Sequence, residues 1–114
     1  MQYSATAKYI HVSTRKVRLL ADSVRSLSPV AALAQLSHMS KSAALPLAKV
    51  IASAVANAKQ KNAKEETLKM SQLEVMGAAG LKRWHAVSRG QAHPYKKRMT
   101  HIRVVLTDEG KKKA

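Results

Sequence analysis

Six cations, Lys82, Arg83, Arg89, Lys96, Lys97 and Arg98, fall within residues 77–98, and no Asp or Glu stands among them. Ammonium and guanidinium groups at that density, with nothing of opposite sign nearby, suit the binding of a polyanion, because each phosphate they neutralise releases condensed counterions. Arginine adds a planar fork that engages phosphate oxygens in pairs and stacks on flat groups, which lysine does not. Apolar, strand-like runs lie on both sides, residues 73–76 before and 100–106 after. Residues 77–98 are therefore expected to form an arm of roughly twenty residues between two strands, far longer than the two to five of an ordinary hairpin loop. An arm decorated only by cations and histidine has no means of burying itself against its own domain. The plain alternative is a solvated, flexible loop.

Other chemistries find less support. His85, His93 and His101 are widely spaced, with no cysteine and no neighbouring carboxylate, so no metal-ligand set is expected. The acids sit in turns, helix surfaces or the tail. None pairs with a histidine at a recognisable spacing, and no glycine-rich loop precedes a helix. Neither catalysis nor a cofactor is expected. Trp84 and Tyr95 either stack on bases, at about 1–3 kcal/mol each, or pack on each other across the hairpin. Gly77, Gly80 and Gly90 suit bends and close approach to another backbone.

The elements that must position this arm belong to a chain of 114 residues with 21 Lys+Arg, 6 Asp+Glu and a formal net charge of +15. That length predicts one domain, residues 1–114, with the arm at 77–98 and a basic tail at 109–114. Only Asp22 is acidic before Glu65. Such an excess repels itself unless a partner neutralises it. Nucleic acid is favoured over a membrane surface, because no basic amphipathic helix with bulky apolar anchors is evident. The apolar-rich run at 43–58 is broken by Pro46, Lys49, Ser53 and Asn57 and is too short to span a bilayer. Residues 1–12 lack the apolar core of a signal peptide. The absence of cysteine is compatible with a reducing compartment.

Residues 2–11 alternate, placing Tyr3, Ala5, Ala7 and Tyr9 on one face of a first strand, with both tyrosines expected to be partly buried. Ser13 offers a capping hydroxyl for a helix over 14–25, whose Val17, Leu20, Ala21 and Val24 share a face. Arg15, Lys16 and Arg18 lie elsewhere on its surface, either as a phosphate-binding face or as an ordinary wet one. Ser28 and Pro29 open a second helix to about residue 38, expected to bury Val30, Leu33, Ala34 and Leu36. A third helix extends to about residue 62, with Leu47, Val50, Ile51, Ala54, Val55 and Ala58 inward and Pro46 near its start. Asn57 on this helix hydrogen-bonds either RNA or the neighbouring backbone. Strands over 68–76 and 99–107 follow. In the last, Thr100, Ile102, Val104 and Leu106 share one face, and His101, Arg103 and Val105 the other. The expected class is α+β: a small three-stranded antiparallel sheet with three helices packed on one face and a long protruding β-hairpin.

Several of these segments together resemble the ribosomal protein L-twenty-two family of the large subunit. Residues 13–20, Ser-Thr-Arg-Lys-Val-Arg-Leu-Leu, resemble its opening helix motif, and residues 53–58, Ser-Ala-Val-Ala-Asn-Ala, its third-helix motif. Leu81-Lys-Arg83, Arg89-Gly90, Lys97-Arg98 and residues 101–106 resemble its hairpin and last strand. The resemblance implies a cytoplasmic protein, monomeric within the ribosome, that binds large-subunit rRNA and aids its assembly beside neighbouring ribosomal proteins. It implies rRNA contacts at Ser13, Arg15, Lys16, Arg18, Asn57, Lys82, Arg83, Arg89, Lys96, Lys97, Arg98, His101 and Arg103. It also implies a hairpin tip, Trp84, His85, Ser88, Arg89, Gly90 and Gln91, in the wall of the peptide exit tunnel, facing the nascent chain. Two departures stand out: Thr14 occupies a position where the family commonly has proline, and the tip holds fewer arginines than usual. A free-standing helix-turn-helix DNA binder, built on the first two helices, leaves the arm unexplained.

Overall fold

The computed structural model describes residues 2–108. The tail at 109–114 lies outside the described residues. The chain order is β1 (Gln2–Ile10), α1 (Thr14–Val24), α2 (Pro29–Ser37), α3 (Ala44–Gln60), a 3-10 turn (Glu65–Thr67), β2 (Leu68–Ala86), a second short turn (Ser88–Gly90) and β3 (Ala92–Asp108). The three strands form one antiparallel sheet in the order β1-β3-β2. This is the expected α+β architecture.

The helices form where apolar spacing demands them. On α1, Val17, Leu20, Ala21 and Val24 are buried, the i, i+3, i+4, i+7 set expected. On α3 all six expected residues are buried, with Ala44 added, and Pro46 falls in the first turn, where its missing N–H costs nothing. They meet Tyr3, Leu68, Leu73, Val75, Ile102, Val104 and Leu106 in one core. The short helix α2 departs from expectation. Its start is capped as expected, with the Ser28 hydroxyl accepting from Ala31 N–H at 3.3 Å. Yet it buries Pro29, Ala32 and Leu36, while Val30 and Ala34 are exposed and Leu33 is half-buried. Nearly every position of α2 is apolar, so the side turned inward is decided by α3, against which it packs.

Two further expectations are corrected. Tyr9 is 53% exposed. Its φ of 58° and the register shift between Ala7 and Ile10 turn it off the buried face. Its N–H instead donates to His101 Nδ1 at 3.1 Å, and the two rings meet edge to face at 4.8 Å. The strands are also much longer than the 68–76 and 99–107 expected: β2 has 19 residues and β3 17. They stay paired until Ala86 faces Ala92. The arm is thus the long protruding β-hairpin expected, with its strands paired almost to the tip.

Both outer edges of the sheet are guarded by side chains. On β1, the Ser4 carbonyl accepts from Asn57 Nδ2 at 2.9 Å. On β2, the Val75 carbonyl accepts from Arg18 Nε and Nη2 at 3.3 and 3.0 Å, and the Leu73 carbonyl from Arg25 Nη2 at 2.9 Å. Those guanidinium groups also fasten α1 to the sheet.

Candidate nucleic-acid interface

The ribbon dominates the shape of the molecule. The described residues extend 70 × 25 × 19 Å, with a radius of gyration of 17.5 Å. A compact chain of this length would have about 13 Å. Nineteen residues of β2 at about 3.3 Å each reach roughly 60 Å, so the ribbon accounts for the long axis.

Two devices shape it. The pairing register shifts between Met70 and Gln72 and again between Ala78 and Leu81. Each shift inserts one extra residue on β2 and bends and twists the ribbon locally. At the second, a Cβ on Gly80 would lie 3.0 Å from the Lys97 carbonyl, so a side chain there would press on the facing backbone and the close crossing favours glycine. The apex is a tight turn in which Gln91 N–H donates to the Ser88 carbonyl at 3.4 Å. Its two central residues, Arg89 and Gly90, have φ of 62° and 67°. That left-handed pair matches the twist of a hairpin and leaves Arg89 exposed at the tip.

Where the ribbon leaves the body, a cleft of about 590 Å³ opens, lined by Ser13, Thr14, Arg15, Arg18, Gly77, Ala78, Gly80, Lys96, Arg98 and Met99. Four cations and no carboxylate line it. The N-terminus of α1 opens onto it, with no acid in its first turn and a Ser13 hydroxyl that makes no capping bond. The expected Ser13 cap is thus correct in position but not in bonding. Below it, the buried Thr100 hydroxyl donates to the Val12 carbonyl at 2.6 Å. Its single proton being used there, Thr14 Oγ1 donates to Thr100 Oγ1 at 3.3 Å. Thr14 therefore ties the start of α1 to β3, a bond that proline could not make. No signal in the linear sequence joins residues 86 positions apart in this way.

The candidate residues separate into two groups. Arg15, Arg18, Lys96 and Arg98 converge on the cleft. A smaller hollow beside it gathers Ser13, Lys16, Lys96, Lys97 and Arg98. Lys82, Arg83 and Arg89 stand exposed along the ribbon and at its apex. The others are engaged within the body: Asn57 with Ser4, His101 with Tyr9, and Arg103 with Glu74 Oε1 at 3.3 Å. Arg18 belongs to both, since its bonds to Val75 fix the guanidinium at the cleft wall. Trp84 and Tyr95 do not pair across the ribbon. The ring of Tyr95 stacks on His85 at 4.0 Å and 17°, whereas Trp84 is 68% exposed.

The acids show the same separation. Asp22 is paired with Arg25, Glu65 with Lys59 at 3.2 Å, and Glu74 with Arg103, all on the body. Among the described residues, no three His, Asp or Glu side chains gather as a metal site would require.

A helix-backed antiparallel sheet that projects a cationic ribbon defines the class: a small α+β protein built around an extended basic arm. Residues 5–107 match the family model of ribosomal protein L22p/L17e. The chain is 38% identical over 110 residues to the large ribosomal subunit protein uL22 of Syntrophus aciditrophicus, covering 96% of this chain and 100% of that protein. It is 36% identical over 110 residues to the protein of the same name from Mycoplasma mycoides, covering 96% and 99%. The Chlamydia trachomatis counterpart is 39% identical over 109 residues, covering 95% and 98%. The chain belongs to the ribosomal protein L22p/L17e family, which is one of ribosomal proteins and not of enzymes.

Proposed function

We propose that this chain is a cytoplasmic structural constituent of the large ribosomal subunit that binds large-subunit rRNA and helps hold its segments together during assembly. The body, with residues 2–76 and 99–108 as its described part, docks among rRNA and neighbouring ribosomal proteins as a single copy. The ribbon at 77–98 threads between RNA segments and brings its tip to the wall of the peptide exit tunnel, where the turn at 88–91 meets the nascent chain. Support comes from the family, whose curated relatives are named as large-subunit proteins, and from one structural observation above all. The ribbon projects from the body with six cations, no acid and almost no buried side chain. RNA duplexes are engaged through shape, backbone and 2′-hydroxyls, and a stiff ribbon of cations suits that task better than a base-reading helix.

Binding of the intact protein to large-subunit rRNA fragments and to duplex DNA of equal charge, each over a salt series, tests the reading. The expected result is tighter binding to the RNA fragments, with a steep salt dependence in both cases. Equal affinity for the two would point to a generic DNA binder instead.

A further inference from the structure

The two faces of the ribbon differ. Lys82 stands directly opposite Lys96, and Trp84 directly opposite Pro94. Alternation places these four on one face and Arg83, His85, His93 and Tyr95 on the other. On the second face the His85 and Tyr95 rings already cover each other. On the first, Trp84 presents an uncovered ring. Like charges placed directly opposite destabilise a strand pair, so Lys82 and Lys96 create a place for an anion between them. No acid within residues 77–98 supplies one. Trp84 lies two residues beyond Lys82, about 7 Å along the strand. Toward the body, Lys96 and Arg98 carry this cationic surface into the cleft at the start of α1.

We propose that this surface is a track for one unpaired strand of RNA, with phosphates held in the cleft and between Lys82 and Lys96, and with an unstacked base lying on Trp84. The proposal rests on the rRNA-binding reading and adds the form of RNA bound: a duplex keeps its bases stacked and offers none to the indole. It assigns Trp84 to RNA and leaves the tunnel-facing role to the turn at 88–91 and the His85 face.

Trp84 is the only tryptophan of the chain, so its emission reports on this site alone. The intact protein is titrated at low salt with a single-stranded RNA oligonucleotide of mixed sequence and with a blunt RNA duplex of equal phosphate count. The single strand should quench the emission, and the duplex should bind without doing so. Trp84→Leu should weaken single-strand binding about five- to 150-fold, the loss of one base–aromatic stack. Duplex binding and thermal unfolding should stay unchanged, and Trp84→Phe should recover most of the affinity. The double variant Lys82→Ala, Lys96→Ala should reduce the single-strand salt slope by about 1.4, two contacts of about 0.7 each. Binding of the single strand with Trp84 emission unaltered, or with Trp84→Leu as tight as the parent, overturns the track while leaving general RNA binding intact. Failure of both RNAs to bind would bring down the rRNA reading as well.

Discussion

The same two strands behave differently at their two ends. In the body, β2 and β3 bury Leu68, Leu73, Val75, Ile102, Val104 and Leu106 under three helices. Beyond Gly80 they keep their hydrogen-bonded ladder, but both faces are wet and cationic. Burial holds the first half together. The second half has only continuity with the first, one bulge at its base and a tight turn, and an isolated two-stranded hairpin is marginal in water. Acids are distributed accordingly: on the body they neutralise Arg25, Lys59 and Arg103, and along the arm there are none. One half of the ribbon is stabilised by its own chain, and the other is shaped for an external anion.

That contrast can be broken at graded cost. Ile51→Ala should have the largest effect on stability, lowering it by about 2–5 kcal/mol in denaturant unfolding, because Ile51 is fully buried in the core. Thr100→Val comes next, at about 1–3 kcal/mol. It removes the donor to the Val12 carbonyl and the acceptor for Thr14 where the two halves meet. Asn57→Ala should cost about 0.5–1 kcal/mol, since the bond to the Ser4 carbonyl is exposed. The triple change Lys96→Ala, Lys97→Ala, Arg98→Ala should move stability by no more than about 0.5 kcal/mol. The same variant should reduce the RNA salt slope by about 2. A large loss of stability from the triple change would show that these cations serve the fold.

How far the chain could be read in advance follows the same division. Helices α1 and α3 declared their inner faces through periodic Val, Leu, Ile and Ala, because burial imposes that period. The inner face of β3, Thr100 to Leu106, was legible for the same reason. Helix α2 was not, since Val30, Ala31, Ala32, Leu33 and Ala34 make every side apolar and tertiary packing chooses among them. The arm was legible as a long β-hairpin, but strand ends drawn at 76 and 99 fell short of Ala86 and Ala92, because residues exposed on both faces need no alternation. Tyr9 was misplaced by a left-handed backbone that no residue type there announces. Among the candidate site residues, the arm cations stood out by charge density. The convergence of Arg15 and Arg18 with Lys96 and Arg98 rests on contacts between distant segments, as does the engagement of Asn57 with Ser4.

The central claim is that the arm exists to be matched by RNA while the body stands without it. Replacing residues 81–98 with a tight turn tests this most directly, with cooperative unfolding and binding to large-subunit rRNA fragments measured on the same preparation. The account predicts unfolding close to that of the parent, together with much weaker RNA binding and a salt slope shallower by up to about four, six cations at about 0.7 each. A shortened protein that binds RNA with undiminished affinity and slope, or that no longer folds, would contradict it.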